Sequence, residues 1–414
     1  MILSKETTVK LNQVQANIIC HMGYAAYKLW NCLKYERDHY KELGLEQYPD
    51  WYYQKKYHKN DLWYKALPAQ TAQEVCKLLE KGYQSFFALL KTHGIQNPHA
   101  PKYKHDIMPI TYDPGNFAHS GKLIRLTISK QMKQHLAERY GIHENFLYLE
   151  NGIFQDMDHI KQLRLYMPEG NVMRMVVVYE ISDVPSLSDN GKYLSIDLGL
   201  HNLMTVYDST SGNSFILGRT YNNVLHNFDK QIAHYQSISD LQQNAAGIKY
   251  PKKTKRVLRL YRQKRNSVKD LLHKATKWII DYCLQNDIHT VVIGEVTHIR
   301  DEKNFGDKTN QKFHQWPYQQ IYQMLQYKCA MNRLVFVRIS EAYSSQTPPS
   351  APAVGKDYAV KKNRIRRGLY RDGNQFYNAD SVGAYNILRL YLQSKKKPIF
   401  CSYCKLGNPV KVSV

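Results

Sequence analysis

The chain is 414 residues long, 43% of them hydrophobic, with 58 Lys plus Arg against 35 Asp plus Glu and a formal charge of +23. Length and apolar content suffice for two or three domains with real cores and exclude a disordered basic arm, while the charge makes an anionic polymer the favoured partner. No eighteen apolar residues run together and the stretch Met1 to Thr8 lacks a signal-peptide core, which reads as a cytoplasmic protein without a membrane partner. Five of the seven cysteines stand singly, at Cys20, Cys32, Cys76, Cys283 and Cys329, and make no disulfide framework.

An opening strand is expected over Thr7 to Asn12, and from Gln13 the pattern turns helical. Ile18, Met22, Ala25, Leu29 and Leu33 share one helix face, and Val75, Leu78, Leu79, Tyr83, Phe86, Phe87 and Leu90 form another. Between them lie Trp51 to Tyr57 and Leu62 to Lys65, mixtures of aromatics and lysine that can stack on bases and neutralise phosphates. Packing between helices is the plainer reading for any one of those rings.

From His99 the pattern shifts to Pro-rich turns and short alternating runs, Leu123 to Ile128, Gln162 to Tyr166 and Met173 to Glu180, which read as strands with Lys and Arg on the solvent side. Val184 to Asn190 reads as a linker.

Tyr193 to Asp208 is two strand-like runs meeting near Asp197 and Gly199, the glycine standing where the backbone turns tightly or approaches a ligand. A carboxylate ending a buried strand needs a partner or a metal; a surface turn Asp is the alternative on this stretch alone. Thr290 to Glu295 is an apolar run ending in Gly294-Glu295, and Asn378-Ala379-Asp380 opens a helical segment with Asp380 in its first turn or at its N-cap. Asp197, Glu295 and Asp380 can converge only through a fold. Three such hard oxygen donors suit a pair of Mg²⁺ ions that clamp the attacking and leaving oxygens of a phosphodiester.

Between these acids, a third strand at Asn213 to Leu217 precedes a long helical section. Lys252 to Lys277 carries eleven Lys or Arg and one acid, with Val257, Tyr261, Val268, Leu271, Ala275 and Trp278 as its apolar stripe. Arg256, Arg259, Arg262 and Arg265 rise three residues apart, a rail that suits a phosphate backbone better than base edges. A solvated face is the alternative for such a run, but cations with almost no compensating acid repel one another unless phosphate is present. Asn304 to His314, polar and close to Glu295, reads either as a lid or as an ordinary connection. It leads into a helix over Tyr318 to Met331 and a strand over Leu334 to Arg338.

Ser195-Ile-Asp-Leu-Gly-Leu-His-Asn-Leu203, Val292-Ile-Gly-Glu295, Leu325 to Ala330, and Asn378-Ala-Asp380 through Ile387 occur in the order that resembles the transposon-encoded TnpB proteins, relatives of the miniature type V CRISPR effectors. The resemblance covers residues 191 to 393 well and the N-terminal half only by pattern and length. It implies an α/β multidomain fold: an RNase H-like (RuvC) nuclease domain with an N-terminal β-rich wedge domain and an inserted helical recognition lobe. On that reading residues 1–12 are the first wedge strand, 13–97 the helical lobe, 98–185 the β-rich wedge and 186–190 the linker. Residues 191–343 are then the first part of the nuclease, 344–377 a basic target-binding segment, 378–394 the last nuclease helix and 395–414 a tail.

The activity implied is RNA-guided, Mg²⁺-dependent DNA endonuclease, with Asp197, Glu295 and Asp380 as catalytic acids and ligands of two ions. Its partners would be guide RNA, double-stranded target DNA and the RNA–DNA heteroduplex, in a monomer or homodimer of the prokaryotic cytosol. His273-Lys274 matches a short family motif on the basic helix, which the resemblance places against guide and target strands. Gln73 and Lys77 lie on a helix that resembles the part near the flanking DNA motif in relatives, and are candidates for base contacts. Many relatives hold a zinc ribbon after Ser-Ser-Gln-Thr; here Ser344 to Thr347 is followed by Pro348-Pro349, and no Cys or His occurs before Tyr377. Zinc is therefore not expected there, and Cys401 with Cys404 is a single pair without sequence neighbours. Arg364, Arg366, Arg367 and Arg371 can serve nucleic acid without a metal. Two rivals share much of this sequence: a nuclease-silent guided DNA-binding regulator, and a structure-specific resolvase or RNase H-type enzyme.

Overall fold

The computed structural model describes residues 1–92, 96–155, 157, 159–182, 184–296, 306–366, 368–399 and 401–413, with backbone alone at Asp307, Lys308, Thr309 and Gln311. The chain forms two units, Met1–Ser182 and Asp183–Val414. Among the described residues no helix is long and apolar enough to cross a membrane.

In the first unit, β1 (Ile2–Lys10) leads into α1 (Gln13–Asp38), α2 (Trp51–Tyr57), α3 (Leu62–Lys65) and α4 (Ala69–Thr92). The chain continues through β2 (Ile110–Tyr112), β3 (Phe117–Ser120), β4 (Leu123–Thr127), α5 (Lys130–Tyr140), β5 (Phe146–Glu150), β6 (Ile160–Leu165) and β7 (Val172–Glu180). The opening strand ends earlier than its β-propensity predicts because Asn12 is taken by the helix. Asn12 Oδ1 accepts from the Gln15 amide and Gln15 Oε1 from the Asn12 amide, both at 2.8 Å, a capping box that starts α1. All nine residues of β1 pair antiparallel with β7, giving a four-stranded sheet β1-β7-β6-β2; β3-β4-β5 form a second sheet. One apolar cluster joins helices and sheets, from Ile18, Met22 and Leu79 to Leu163, Met173 and Met175.

In the second unit, β8 (Tyr193–Leu198), β9 (Met204–Asp208), β10 (Ser214–Leu217), α6 (Tyr221–Ala245), α7 (Lys255–Gln285), β11 (Thr290–Glu295), α8 (Asp307–Gln315), α9 (Tyr318–Met331) and β12 (Val335–Ser340) precede a small sheet. That sheet is β13 (Arg364–Arg366), β14 (Leu369–Asp372) and β15 (Gln375–Asn378), followed by α10 (Ala379–Ser394) and β16 (Val410–Lys411). The main sheet runs β12-β11-β8-β9-β10-β16; β11 is parallel to β8 and β12, while β9 is antiparallel to β8 and β10.

Alternation along β8 and β11 splits the core in two. Leu194, Ile196, Val291 and Ile293 face Leu271, Ala275 and Ile279 of α7 and Leu325 of α9, whereas Tyr193 and Val292 face Val382, Ala384, Ile387 and Leu388 of α10. Covering on both faces is why these strands read as continuous apolar runs. On α7 the stripe departs from the expectation: Leu260 and Leu272 are buried, and Tyr261 is exposed with Lys253 Nζ 4.4 Å from its ring centre.

Candidate functional site

Asp197 is the fifth residue of β8 and points to the α10 side, as Ser195 does, whose Oγ donates to the Ala384 carbonyl at 2.7 Å. A Cβ on Gly383 would stand 2.6 Å from Asp197 Oδ2, so this helix position has to be glycine for the carboxylate to fit. Asp380 lies in the first turn of α10, whose N-cap Asn378 accepts from the Asp380 and Ser381 amides at 3.0 and 3.1 Å. Asn202 Nδ2 donates to Asp380 Oδ2 at 2.7 Å, so the loop after Asp197 holds the second acid. That loop is tight: a Cβ on Gly199 would meet the Asn202 carbonyl oxygen at 2.7 Å.

Burial drives the Asp197 carboxyl well above the usual carboxylate range. The negative charges of Glu341 and Asp380 add to this, and the Arg364 guanidinium partly offsets it. Arg364, expected to serve nucleic acid, lies 3.6 Å from Asp380 Oδ1. Asp197 and Asp380 are thus brought together. Glu295 is on the other face of the sheet, two residues beyond Ile293, with the Arg338 guanidinium 3.4 Å from its Oε1.

The acid that sequence reasoning missed is Glu341, one residue past β12. It follows Val337 and Ile339, which pack towards α10. Burial pushes its carboxyl up to about 7, and its Oε2 is buried with no hydrogen-bond partner. The signal was available only as a count of alternate residues along a strand whose neighbour was unknown. Among the described residues no three His, Cys, Asp or Glu side chains are gathered closely enough to hold a metal ion as they stand. The donor chemistry nevertheless fits a hard divalent cation. Asp197, Asp380 and Glu341 are all oxygen donors, and a buried, unpartnered carboxylate oxygen among like charges calls for a positive one.

Arg256, Arg259, Arg262 and Arg265 are all exposed on α7. The Arg256 guanidinium lies 3.5 Å from the centre of the Tyr235 ring on α6, which fixes it. His273 is half-buried, its carbonyl accepting from Lys328 Nζ at 2.9 Å; burial and the Lys328 charge hold its imidazole below the ordinary range. Lys274 is exposed and 2.7 Å from Asp270. In the first unit Gln73 is half-buried, and Lys77 pairs with Glu74 at 2.6 Å and sits 5.3 Å from the Trp51 ring centre. Trp51 and Trp63 pack on the core and Tyr64 is buried, while Tyr52 and Tyr57 are exposed. Residues 304 and 305 of the expected lid lie outside the described residues; the rest of that stretch enters α8, with Phe313 buried in the core.

The segment after Ser344 is held by α10. Asn386 Nδ2 donates to the Ser344 and Thr347 carbonyls at 2.7 and 2.8 Å, and Arg389 donates to those of Pro348 and Ala351. Tyr370 Oη donates to the Gln346 carbonyl at 2.9 Å, tying in the small sheet that presents the exposed Arg364, Arg366 and Arg371. Arg367 lies outside the described residues. Burial pushes the Cys401 thiol up to about 11, and Cys404 is exposed.

The fold is a mixed α/β multidomain one, with a carboxylate group at the ends of central strands and a basic sheet anchored beside it. Residues 176–300 match the OrfB_IS605 family, described as a probable transposase, and residues 318–387 match the Cas12f1-like TNB domain. By both matches the chain is similar to the TnpB proteins and the miniature type V effectors. Among solved structures it is similar to the protein of a Cas12f1–sgRNA–target DNA complex, at 13% identity and a TM-score of 0.56 over 91% of this chain and 83% of that one. A CRISPR–Cas12f ternary complex gives 14% identity and a TM-score of 0.38 over 89% and 80%. No curated protein matches the chain.

Proposed function

We propose that this chain is an RNA-guided DNA endonuclease that hydrolyses target DNA at one RuvC-like, Mg²⁺-dependent site, with guide RNA and double-stranded DNA as its partners. The observation that carries the reading is Asp197, half-buried near the end of a central strand and facing the first turn of α10, where Asp380 sits. A sheet in which the acid-bearing strand has one antiparallel and one parallel neighbour, with a further parallel strand beyond the latter, supports the RuvC-like assignment. So do the two family matches, in this order along the chain.

Asp197 and Asp380 would hold the metal, and Asn202 would orient Asp380 through its amide. Bound divalent ions supply a water of lowered pKa and stabilise the departing 3′ oxygen. Arg364, beside Asp380, would balance the carboxylate charge and meet a phosphate. The exposed arginines of α7 would follow a strand backbone, with pairing of guide to target reading most of the sequence.

A nuclease-silent guided binder is favoured by one observation, that the Arg364 guanidinium stands next to Asp380, where it competes with a metal ion for the carboxylate. Sequencing the RNA that copurifies with the protein supplies the guide. Incubation with a matching duplex and Mg²⁺ then separates the readings: cleavage supports the endonuclease, and binding without cleavage by the unaltered chain supports the silent binder.

A further inference from the structure

We infer that Glu341, and not Glu295, is the third carboxylate of the site, completing the metal-binding set with Asp197 and Asp380. This rests on the endonuclease reading and deepens it. Strand register comes first. Ile196 pairs with Ile293 and Gly294 with Ile339, so the residue of β11 level with Asp197 is Gly294, and Glu295 is one step beyond it. One step along a strand reverses the face. The two apolar clusters agree: Ile293 lies in the cluster of α7 and α9, while Ile339 packs on that of α10, and two residues on from each come Glu295 and Glu341.

Space comes second. No φ in the left-handed region requires glycine at 294. Its missing side chain leaves room instead. A Cβ there would stand 2.8 Å from Glu341 Oε2 and 2.7 Å from Ile387 Cδ1, so Glu341 reaches over Gly294 from the outer strand towards the central one. Partners come third. Glu295 has the Arg338 guanidinium at 3.4 Å on its own face, whereas Glu341 Oε2 is buried and has nothing. Among the like charges acting on Asp197, Glu341 precedes Asp380, and Glu295 is absent. A carboxylate oxygen left buried without a hydrogen-bond partner, close enough to act on another acid, is the one that awaits a cation.

The test compares Asp197→Asn, Glu341→Gln and Glu295→Gln in the full-length chain, with Mn²⁺ as the probe. Bound Mn²⁺ is counted by electron paramagnetic resonance, and cleavage of a guided target is measured separately. Glu341→Gln should weaken Mn²⁺ binding about 10–100-fold and reduce cleavage by a similar factor or more, as loss of a ligand-supporting group does. Glu295→Gln should stay within about threefold in both. Gly294→Ala, which removes no charge but pushes Glu341 aside, should also weaken Mn²⁺ binding; it keeps the inference testable if Glu341→Gln folds poorly. Retained Mn²⁺ and cleavage in Glu341→Gln, with loss in Asp197→Asn and Glu295→Gln, would overturn the inference and leave the endonuclease reading intact. Mn²⁺ binding that is the same in Asp197→Asn as in the unaltered chain would overturn both.

Discussion

Replacing Glu341 by Gln should make the metal-free protein more stable, in a pH window fixed by its surroundings. The carboxyl is pushed up to about 7 from an ordinary 4.5 because burial penalises the charged form. A raised pKa in the folded chain means that the fold holds this proton more tightly than the unfolded chain does. The stability so gained is complete below pH 4.5 and is lost as pH rises through about 7. At about 1.4 kcal/mol per pH unit across that span, the ionised carboxylate costs the fold about 3 kcal/mol at pH 8. Glutamine keeps the shape without the charge. In EDTA the variant should gain about 2–3 kcal/mol at pH 8 and less than about 0.5 at pH 4.5, the shortfall being the amide's own imperfect hydrogen bonding. Urea unfolding, read by hydrogen exchange in peptides of α10, isolates the second unit. Saturating Mg²⁺ should shrink or reverse the difference by stabilising the unaltered chain alone. No gain at pH 8, or an equal gain at pH 4.5, would refute the reasoning.

Asp197→Ala should abolish guided cleavage while leaving guided binding within a few-fold in a gel-shift assay, because the many phosphate contacts do not depend on one acid. Replacing Arg259, Arg262 and Arg265 together by Gln should flatten the salt dependence of binding by up to about 0.9 log units for each duplex phosphate no longer neutralised, whatever the guide; an unchanged slope assigns them to a solvated face. Arg389→Met should destabilise the second unit by about 2–4 kcal/mol in urea, since the carbonyls of Pro348 and Ala351 lose a buried donor. Strong zinc chelation should leave melting and, once Mg²⁺ is restored, cleavage unchanged, because a structural zinc site contributes about 10 kcal/mol or more and its loss could not pass unnoticed.

Sequence made Asp197 and Asp380 legible because each sits at a boundary with a local signature: an apolar run that ends, and an Asn that caps a helix. The face that Glu295 takes was not legible because Thr290 to Gly294 is buried on both faces, and a run without alternation does not say which way its last residue points. Glu341 was invisible because its meaning lies in pairing with β11, some forty-five residues earlier, and only register supplies it. The anchoring of residues 344–351 by Asn386 and Arg389 was equally hidden. Polar residues in a helix announce no partner, and theirs are backbone carbonyls about forty residues away.

The hydrogen bond from Ser195 to the Ala384 carbonyl spans 189 residues of sequence, and it says something about time. Until α10 is synthesised, the face of β8 and β11 that carries Tyr193, Val292 and Asp197 has no cover. A growing chain at about 5–20 residues per second would leave that face bare for on the order of ten seconds or more, far longer than a helix needs to form. Closing so long a loop is slow and entropically costly, so the acid site is completed late, after the first unit has had time to fold. A chain halted before Ala379 would lack Asp380 altogether and expose an apolar sheet face, leaving it prone to aggregate.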